Sequence, residues 1–249
     1  MFDLKGKVAL VTGANTGLGQ GMVVSLAKAG ADIAMIGRTE PTETMELVAK
    51  AGTKSCTILT DLSDIEAVDE IITECGSKLG RADILVNNAG TITRSDAIEF
   101  TPDDWDAVMN VNLRTLFFLS QSFARYLASK EQAGKIINIA SMLSFQGGIR
   151  VPSYAASKSG VAGLTKALAN EWAQHGINVN AIAPGYFATN NTAALRDDPK
   201  RNQEILERIP SGRWGQPSDL GGAVVFLASE ASDYVQGITL PVDGGWLSR

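Results

Sequence analysis

The chain has 249 residues, of which 45% are hydrophobic and 20% are charged, and its formal net charge is −5. These values are typical of an ordinary globular protein, and without a Pro- or Ser-rich linker they favour one large domain over two small ones. A net negative charge gives no general attraction for nucleic acid or for an anionic membrane surface, so neither partner is expected.

The sequence shows no pattern typical of a secretory signal, a membrane span or a metal site. Residues 1–7 lack a secretory apolar stretch, and no later apolar run approaches the roughly 18 residues of a membrane span, so we expect a cytoplasmic protein. Cys56 and Cys75 lack metal-ligand spacing and are interpreted as structural thiols, so no metal site is expected. The single histidine, His175, precedes Gly176 at an expected helix end, which disfavours mechanisms that need a histidine base.

Five short β-rich runs alternate with longer helix-like segments. Their continuous apolar character fits strands that are covered by helices on both faces. The alternation therefore predicts an α/β fold, namely a single-domain doubly wound parallel sheet of the Rossmann type. Such sheets bind ligands at the carboxyl ends of their strands, so informative residues should follow each run. The runs are Val8–Val11, Ile33–Ile36, Ile84–Val86, Lys135–Ile139 and Ile177–Ile182.

A glycine-rich turn, Thr12–Gly19, separates the first run from a segment that carries Met22, Val23 and Leu26 on one helical face. The glycines permit close approach of the backbone to a pyrophosphate, and a helix amino terminus favours its negative charge. A turn without any ligand could also explain the glycines, but their position between a first strand and a first helix favours a nucleotide site. The expected contacts are Gly13, Asn15, Thr16, Gly17, Leu18 and Gly19.

Arg38 follows the second run and decides which cofactor we expect. An arginine at this point accommodates the 2′-phosphate of NADP, whereas an acidic side chain binds the ribose diol of NAD. We therefore expect NADP. NAD remains possible, because Glu40 could supply the acid if the loop curls back.

Three further motifs follow the later runs in order. Asn87–Gly90 follows the third run, Ser141 follows the fourth, and Tyr154–Lys158 opens a helix 13 residues beyond Ser141. Together with the glycine-rich turn, these motifs resemble the short-chain dehydrogenase/reductase family over essentially the whole chain. The resemblance implies an oxidoreductase that interconverts a secondary alcohol and a ketone with a pyridine nucleotide.

The resemblance also implies a catalytic set of Asn112, Ser141, Tyr154 and Lys158. Tyrosine and lysine four residues apart share a helix face, so the cation would shift the pKa of the phenol from about 10 toward the working range. Ser141 would donate to the substrate oxygen. Asn112 would hold a water that links Lys158 to solvent, or it would bond the backbone of its own helix.

Other cofactor contacts follow from the same resemblance. Asp61 and Leu62 would lie near the adenine, although Asp61 could also cap the helix that follows it. Tyr154 and Lys158 would contact the nicotinamide ribose. The remaining contacts would be Asn88, Ala89 and Gly90 at the adenosine ribose, with Pro184, Gly185, Phe187 and Thr189 around the nicotinamide amide.

The segments Ile139–Tyr154, Pro184–Thr192 and Ile209–Gly215 resemble a branch of the family that acts on keto and deoxy sugar acids, namely 2-deoxy-D-gluconate at carbon 3 or 2-dehydro-3-deoxy-D-gluconate at carbon 5. Arg38 departs from that branch, which we expect to be less basic there and often to use NAD. A sugar acid needs a cation for its carboxylate and polar groups for its hydroxyls. The expected substrate residues are Ser141, Gln146, Arg150, Tyr154 and Arg213.

Two alternative functions remain open at this point. A 3-oxoacyl-thioester reductase of the same family would need a basic surface for an acidic carrier protein, to which Arg94 and Arg125 could contribute. A nucleotide-sensing regulatory module would keep the fold but would have no need of the four catalytic side chains.

The resemblance further implies an assembly and a lid. The segments Gly160–Leu164 and Pro241–Leu247 resemble the surfaces through which the family forms tetramers, so a homotetramer with two-fold axes is expected. A small substrate lid is expected at about residues 189–210.

Overall fold

The computed structural model describes residues 1–249 and contains one sheet of seven strands. The strands are β1 (Val8–Thr12), β2 (Asp32–Gly37), β3 (Ser55–Leu59), β4 (Ile84–Asn87), β5 (Gly134–Ile139), β6 (Ile177–Pro184) and β7 (Thr239–Val242). All neighbouring strands are parallel, and their order is β3-β2-β1-β4-β5-β6-β7. The expected α/β fold with a doubly wound parallel sheet is therefore confirmed.

Nine α-helices accompany the strands. They are α1 (Gly17–Lys28), α2 (Thr42–Ala51), α3 (Val68–Leu79), α4 (Pro102–Met109), α5 (Leu116–Ser129), α6 (Pro152–Trp172), α7 (Ala193–Asp197), α8 (Pro199–Arg208) and α9 (Gly221–Ala228). Helices α1, α2 and α9 pack on one face of the sheet, and α3, α5 and α6 pack on the other. None of the nine combines the length and the apolar character that a bilayer crossing requires.

Alternation along each strand divides the core between these two layers. In β1, Val11 belongs to the cluster that contains Met22 of α1, whereas Leu10 belongs to the cluster that contains Phe123 of α5. Successive side chains of a strand point to opposite faces, so a strand that is buried on both sides must be apolar at every position. This requirement explains why the central strands were visible in the sequence as continuous apolar runs.

The two edge strands, β3 and β7, were not among the five predicted runs. Strand β3 carries Ser55 and Thr57 and is largely half-buried, and β7 has only four residues and includes Pro241. Each has a single neighbour in the sheet, so neither is under the constraint that makes a central strand uniformly apolar.

The expected helix end at His175 is confirmed. Helix α6 ends at Trp172, a short 3-10 turn covers Ala173–His175, and Gly176 adopts a left-handed conformation with φ of 71°. Such a residue ends a helix without the steric cost of a side chain.

Candidate active site

A cavity of about 1050 Å³ lies at the carboxyl ends of the central strands, at the point where the strand order reverses between β1 and β4. It brings together most of the site residues that were expected from the sequence. These are Gly13, Asn15, Thr16, Gly17, Leu18, Gly19, Arg38, Asp61, Leu62, Asn88, Ala89, Gly90, Ser141, Gln146, Tyr154, Lys158, Pro184, Gly185, Phe187 and Thr189. Asn112, Arg150 and Arg213 do not line it.

The glycine-rich turn has a shape that fits the pyrophosphate of a dinucleotide. Gly13 and Gly17 have φ of 64° and 56°, in the left-handed region that favours glycine. A side chain at Gly19 would collide with the carbonyl oxygen of Gly13, so the turn closes tightly on itself. Helix α1 has no side-chain cap and no acidic residue in its first turn, which leaves its first amides available to an anion.

The far end of the cavity carries the residues expected at the adenosine. The amide and the hydroxyl of Ser63 both donate to Asp61 Oδ1 at 2.9 Å, and these hydrogen bonds lower the pKa of the Asp61 carboxyl. Asp61 therefore fixes its own turn and lines the cavity at the same time. Arg38 also lines the cavity, whereas Glu40 lies outside it and accepts a hydrogen bond from Thr57.

Three expected catalytic side chains meet near the end of β5. Ser141 lies two residues after the end of β5 and is buried, and its hydroxyl accepts a hydrogen bond from the Leu143 amide at 3.1 Å. Tyr154 and Lys158 lie one turn apart in α6, with Lys158 Nζ 5.7 Å from the centre of the Tyr154 ring. Lys158 Nζ donates to the carbonyl oxygen of Ile139 at 2.5 Å, which anchors α6 to β5.

The structure corrects the expected pKa of Tyr154. Burial raises the pKa of the phenol, and the nearby Ser141 hydroxyl and Arg94 charge oppose this effect only in part. Burial also lowers the pKa of Lys158 to about 8, and its ammonium is turned toward the Ile139 carbonyl. Burial therefore outweighs the opposing effects of Ser141 and Arg94, and the phenol is protonated at neutral pH. A protonated phenol is the form that donates a proton during reduction of a ketone.

Asn112 supports the site from behind the cavity. It lies in a π-helical turn, Asn110–Thr115, that joins α4 to α5. Its amide accepts a hydrogen bond from the Thr91 amide at 2.8 Å, and donates to the Thr91 carbonyl at 2.9 Å and to the Ser157 hydroxyl at 3.2 Å. The alternative of bonding within its own helix is therefore not what the structure contains. Asn112 instead fastens the loop after β4 to α6.

Gly90 separates Asn112 from Lys158. A Cβ atom at this position would lie 3.2 Å from Asn112 Oδ1 and 3.8 Å from Lys158 Nζ. Because Gly90 has no side chain, the amide and the ammonium face the same gap.

Two arginines expected at the substrate are placed elsewhere. Arg150 is exposed and forms an ion pair with Asp96 at 2.9 Å. Arg213 is also exposed and binds both carboxylate oxygens of Asp219, at 2.7 and 3.0 Å. Each guanidinium already has a carboxylate partner, and neither reaches the main cavity. Nearness in sequence to Tyr154 was a poor guide for Arg150, and resemblance of the segment Ile209–Gly215 was a poor guide for Arg213.

Other residues of the outer cavity were not among the expected site residues, although four of them lie in the expected lid at about 189–210 and Arg94 was named only for the thioester alternative. They include Arg94, Met142, Tyr186, Arg201, Glu204, Ile205, Arg208 and Trp246. In α8, the positions 201, 204, 205 and 208 share one helix face, so their spacing was a local signal that this helix faces a site. Trp246 comes from the last 3-10 turn, and no local pattern predicts its position beside Met142 and Gln146.

Comparison with known proteins identifies the family. A family model described as enoyl-(acyl carrier protein) reductase matches residues 13–247. The chain belongs to the short-chain dehydrogenase/reductase family. The resemblance seen in the motifs is thus confirmed over nearly the whole chain, and the chain is an oxidoreductase.

Individual relatives are more specific than the family description. The 2-dehydro-3-deoxy-D-gluconate 5-dehydrogenase of Escherichia coli strain K12 is 60% identical over 248 residues, which cover 100% of this chain and 98% of the relative. An Agrobacterium tumefaciens structure with bound NADP, provisionally assigned as a 2-deoxy-D-gluconate 3-dehydrogenase, is 59% identical. It has a TM-score of 0.95 and covers 100% of this chain and 99% of that one.

A third relative was crystallised with two small molecules. It is a gluconate 5-dehydrogenase from Burkholderia cenocepacia in complex with NADP and tartrate, and it is 41% identical with a TM-score of 0.94. The match covers 100% of this chain and 98% of that one. All three relatives are similar to this chain from end to end.

The burial of Lys158 predicts a pH-dependent stability. Between pH 8 and 10.5 the folded state loses the Lys158 proton while the unfolded state keeps its own, so the free energy of unfolding contains a contribution that rises with pH by about 3 kcal/mol. Lys158→Met lacks this contribution. We expect urea titrations to show that the native protein gains free energy of unfolding relative to Lys158→Met when the pH is raised from 7.5 to 10.

Lys166→Met is the matched control, because it removes an exposed lysine from the same helix. It should preserve the pH dependence of the native protein. A constant difference between Lys158→Met and the native protein at both pH values would contradict the lowered pKa of Lys158.

Proposed function

We propose that the chain is an NADP-dependent dehydrogenase of six-carbon keto or deoxy sugar acids in which Tyr154 carries the proton. One observation supports this most directly: Ser141, Tyr154 and Lys158 line the same cavity as a glycine-rich turn that fits a dinucleotide. A substrate held beside these side chains can exchange a proton with the protein and a hydride with the cofactor.

The side chains divide the chemistry between them. The nicotinamide, when bound, accepts a hydride from the alcohol carbon or returns one to the ketone carbon. In reduction, the Tyr154 hydroxyl gives its proton to the new alcohol oxygen. In oxidation, the Tyr154 hydroxyl must first lose its own proton by way of Lys158, and its oxygen then takes the hydroxyl proton of the substrate as the carbonyl bond forms. Ser141 donates a hydrogen bond to that same oxygen and stabilises the charge that develops there.

In this proposal, Lys158 and Asn112 connect the proton of Tyr154 to solvent, so that Tyr154 regains its starting state after each turnover. A lysine whose pKa is about 8 exchanges protons readily near neutral pH. Lys158 and Asn112 face a common gap beside Gly90, and a water held there would connect Lys158 to solvent. Asn112 has a second role, because its bonds to Thr91 keep the loop after β4 in place.

The choice of NADP rests on Arg38 and on the relatives. Arg38 lines the adenosine end of the cavity, where its guanidinium can form charge-assisted hydrogen bonds with a 2′-phosphate. Glu40, which could have favoured NAD, lies outside the cavity. The cofactor in both crystallised relatives is NADP.

The sugar-acid substrate is supported by the polar character of the outer cavity. Gln146 Oε1 accepts hydrogen bonds from Trp246 Nε1 and Arg208 Nη2, which are both donors without acceptor capacity. This fixes the orientation of the amide, so the two N–H donors of Gln146 remain for substrate hydroxyls. Residues 189–210, which contain α7 and α8, form the lid in this proposal, and several of them line the cavity.

Tyr154→Phe tests the proton carrier. The variant keeps the ring and removes the hydroxyl, so turnover should fall at least about 10²-fold for 2-dehydro-3-deoxy-D-gluconate or 2-deoxy-D-gluconate, whichever the native enzyme prefers. Turnover is followed by nicotinamide absorbance, and the affinity for NADP is measured by fluorescence and should change little. Tyr126→Phe is the control, because Tyr126 lies outside the cavity.

The same assay separates the competing functions. Acetoacetyl thioester is tested beside the two sugar acids with the native enzyme. A clear preference for the thioester would favour the alternative of a 3-oxoacyl-thioester reductase. Near-native turnover by Tyr154→Phe would remove Tyr154 from the mechanism.

Arg38→Asp tests the cofactor. The substitution removes the cation for the 2′-phosphate and supplies an acid for the ribose diol, so the ratio of kcat/KM for NADP to that for NAD should fall at least about tenfold. Steady-state kinetics with each cofactor measure this ratio, and Lys50→Asp on the exposed side of α2 is the charge-matched control. An unchanged ratio would mean that Arg38 does not contact the cofactor.

The proposal extends to a cytoplasmic homotetramer with two-fold axes. Cys56 and Cys75 are free thiols, a state that the reducing cytoplasm maintains. Trp105 of α4 and Phe118 of α5 are partly exposed aromatic side chains, and β7 is an uncovered edge of the sheet. Large exposed apolar groups and open edges are features that subunit contacts cover.

Sedimentation velocity tests the assembly. At micromolar concentration we expect one species with the mass of four chains, because covering the exposed aromatic groups favours association. A monomer over the whole concentration range would contradict this part of the proposal without affecting the others.

A further inference from the structure

Arg208, the last residue of α8, carries a positive charge at the outer cavity and forms no ion pair. Its neighbour on the same helix face, Arg201, donates to Glu204 at 2.9 Å, so those two charges are matched. The contacts of Arg208 are instead the Gln146 carbonyl oxygen, at 3.3 Å, and the ring of Trp246. A cation therefore lines the cavity without a carboxylate partner.

The guanidinium of Arg208 is held in a defined orientation. Its central carbon lies 4.0 Å from the centre of the Trp246 ring, and Trp246 is itself held by the edge of Tyr186 at 4.7 Å and by Gln146 at 3.2 Å. Stacking and the hydrogen bond restrict a side chain that would otherwise be mobile. Of the five N–H donors of an arginine, only one is occupied by Gln146, so several remain for an anion.

We propose that Arg208 binds the carboxylate of the substrate and thereby makes the enzyme select sugar acids over neutral sugars. This inference rests on the proposed function, which supplies the carboxylate. It assigns to Arg208 the role expected of Arg150 and Arg213, both of which have carboxylate partners outside the cavity. A planar guanidinium can bind both oxygens of a carboxylate, and a restricted one loses less entropy when it does so.

Arg94 is another cation of the outer cavity without an ion pair, and its electrostatic effect is different. The positive charge of Arg94 lowers the pKa of Tyr154, so its removal would alter the proton carrier itself. Arg208 has no such effect on Tyr154. A change in substrate charge preference with an unchanged pH profile therefore distinguishes a role of Arg208 from a role of Arg94.

The experiment compares a substrate with its uncharged counterpart. The sugar acid that the native enzyme uses best, from 2-dehydro-3-deoxy-D-gluconate and 2-deoxy-D-gluconate, is assayed beside the primary amide of the same acid. Arg208→Gln should lower kcat/KM for the acid by about 10- to 100-fold, the range expected for a lost charge-assisted hydrogen bond. The value for the amide should change less than about threefold, and the pH profile of kcat should stay in place.

Two further variants complete the test. Arg208→Lys keeps the charge but loses the planar stack on Trp246, so it should recover part of the preference for the acid. Lys200→Gln removes a positive charge from α8 outside the cavity and should leave both substrates unaffected. Thermal unfolding of all variants shows whether a loss of activity follows a loss of folded protein.

The outcomes distinguish failure of this inference from failure of the proposed function. If the native enzyme turns over the sugar acid, and Arg208→Gln lowers acid and amide equally or changes neither, Arg208 does not bind the carboxylate. If the native enzyme turns over neither sugar acid but reduces acetoacetyl thioester, the proposed function itself is wrong.

Discussion

The hydroxyl group of Thr12, at the end of β1, links β1 to the end of β4 at the point where the strand order of the sheet reverses. It accepts hydrogen bonds from the amides of Asn88 and Ala89, both at 2.9 Å, and donates to the carbonyl oxygen of Val86 at 3.4 Å. The side-chain amide of Asn88 donates in turn to the Thr12 and Gly13 carbonyls. One buried side chain thus fixes the glycine-rich turn against the loop that follows β4. The cavity exists because these two chain segments end side by side and then diverge.

A buried polar network supports the other half of the cavity. The amide of Asn87 in β4 donates to Asn138 in β5 and to Ser120 in α5, and Asn138 donates to Thr165 in α6, with distances of 2.9 to 3.0 Å. Buried amides are costly unless their hydrogen bonds are made, and these are paired with one another. The network therefore specifies how α5 and α6 sit on the sheet. Because α6 also carries Tyr154 and Lys158, its position determines where the proton carrier meets the substrate.

The fold and the dinucleotide half of the cavity could be predicted from the sequence, because both depend on residues that lie close together in the chain. Central strands must be apolar on both faces, and the functional groups follow them directly in the chain, so pattern and position coincide. The substrate half depends on long-range contacts: Gln146 meets Arg208 and Trp246 across 62 and 100 residues. Nearness in sequence favoured Arg150, but its ion pair with Asp96 and its exposed position remove it from the site. The raised pKa of Tyr154 was not predicted for a related reason, since burial is a property of the folded environment and cannot be seen in the Tyr154–Lys158 spacing.

The π-helical turn at Asn110–Thr115 contains one more residue than a regular helix would need. Helix α4 and helix α5 pack normally on either side of it, and the wider turn directs Asn112 toward the Thr91 backbone. The anchor of the loop after β4 therefore depends on the shape of this turn as well as on the amide at position 112.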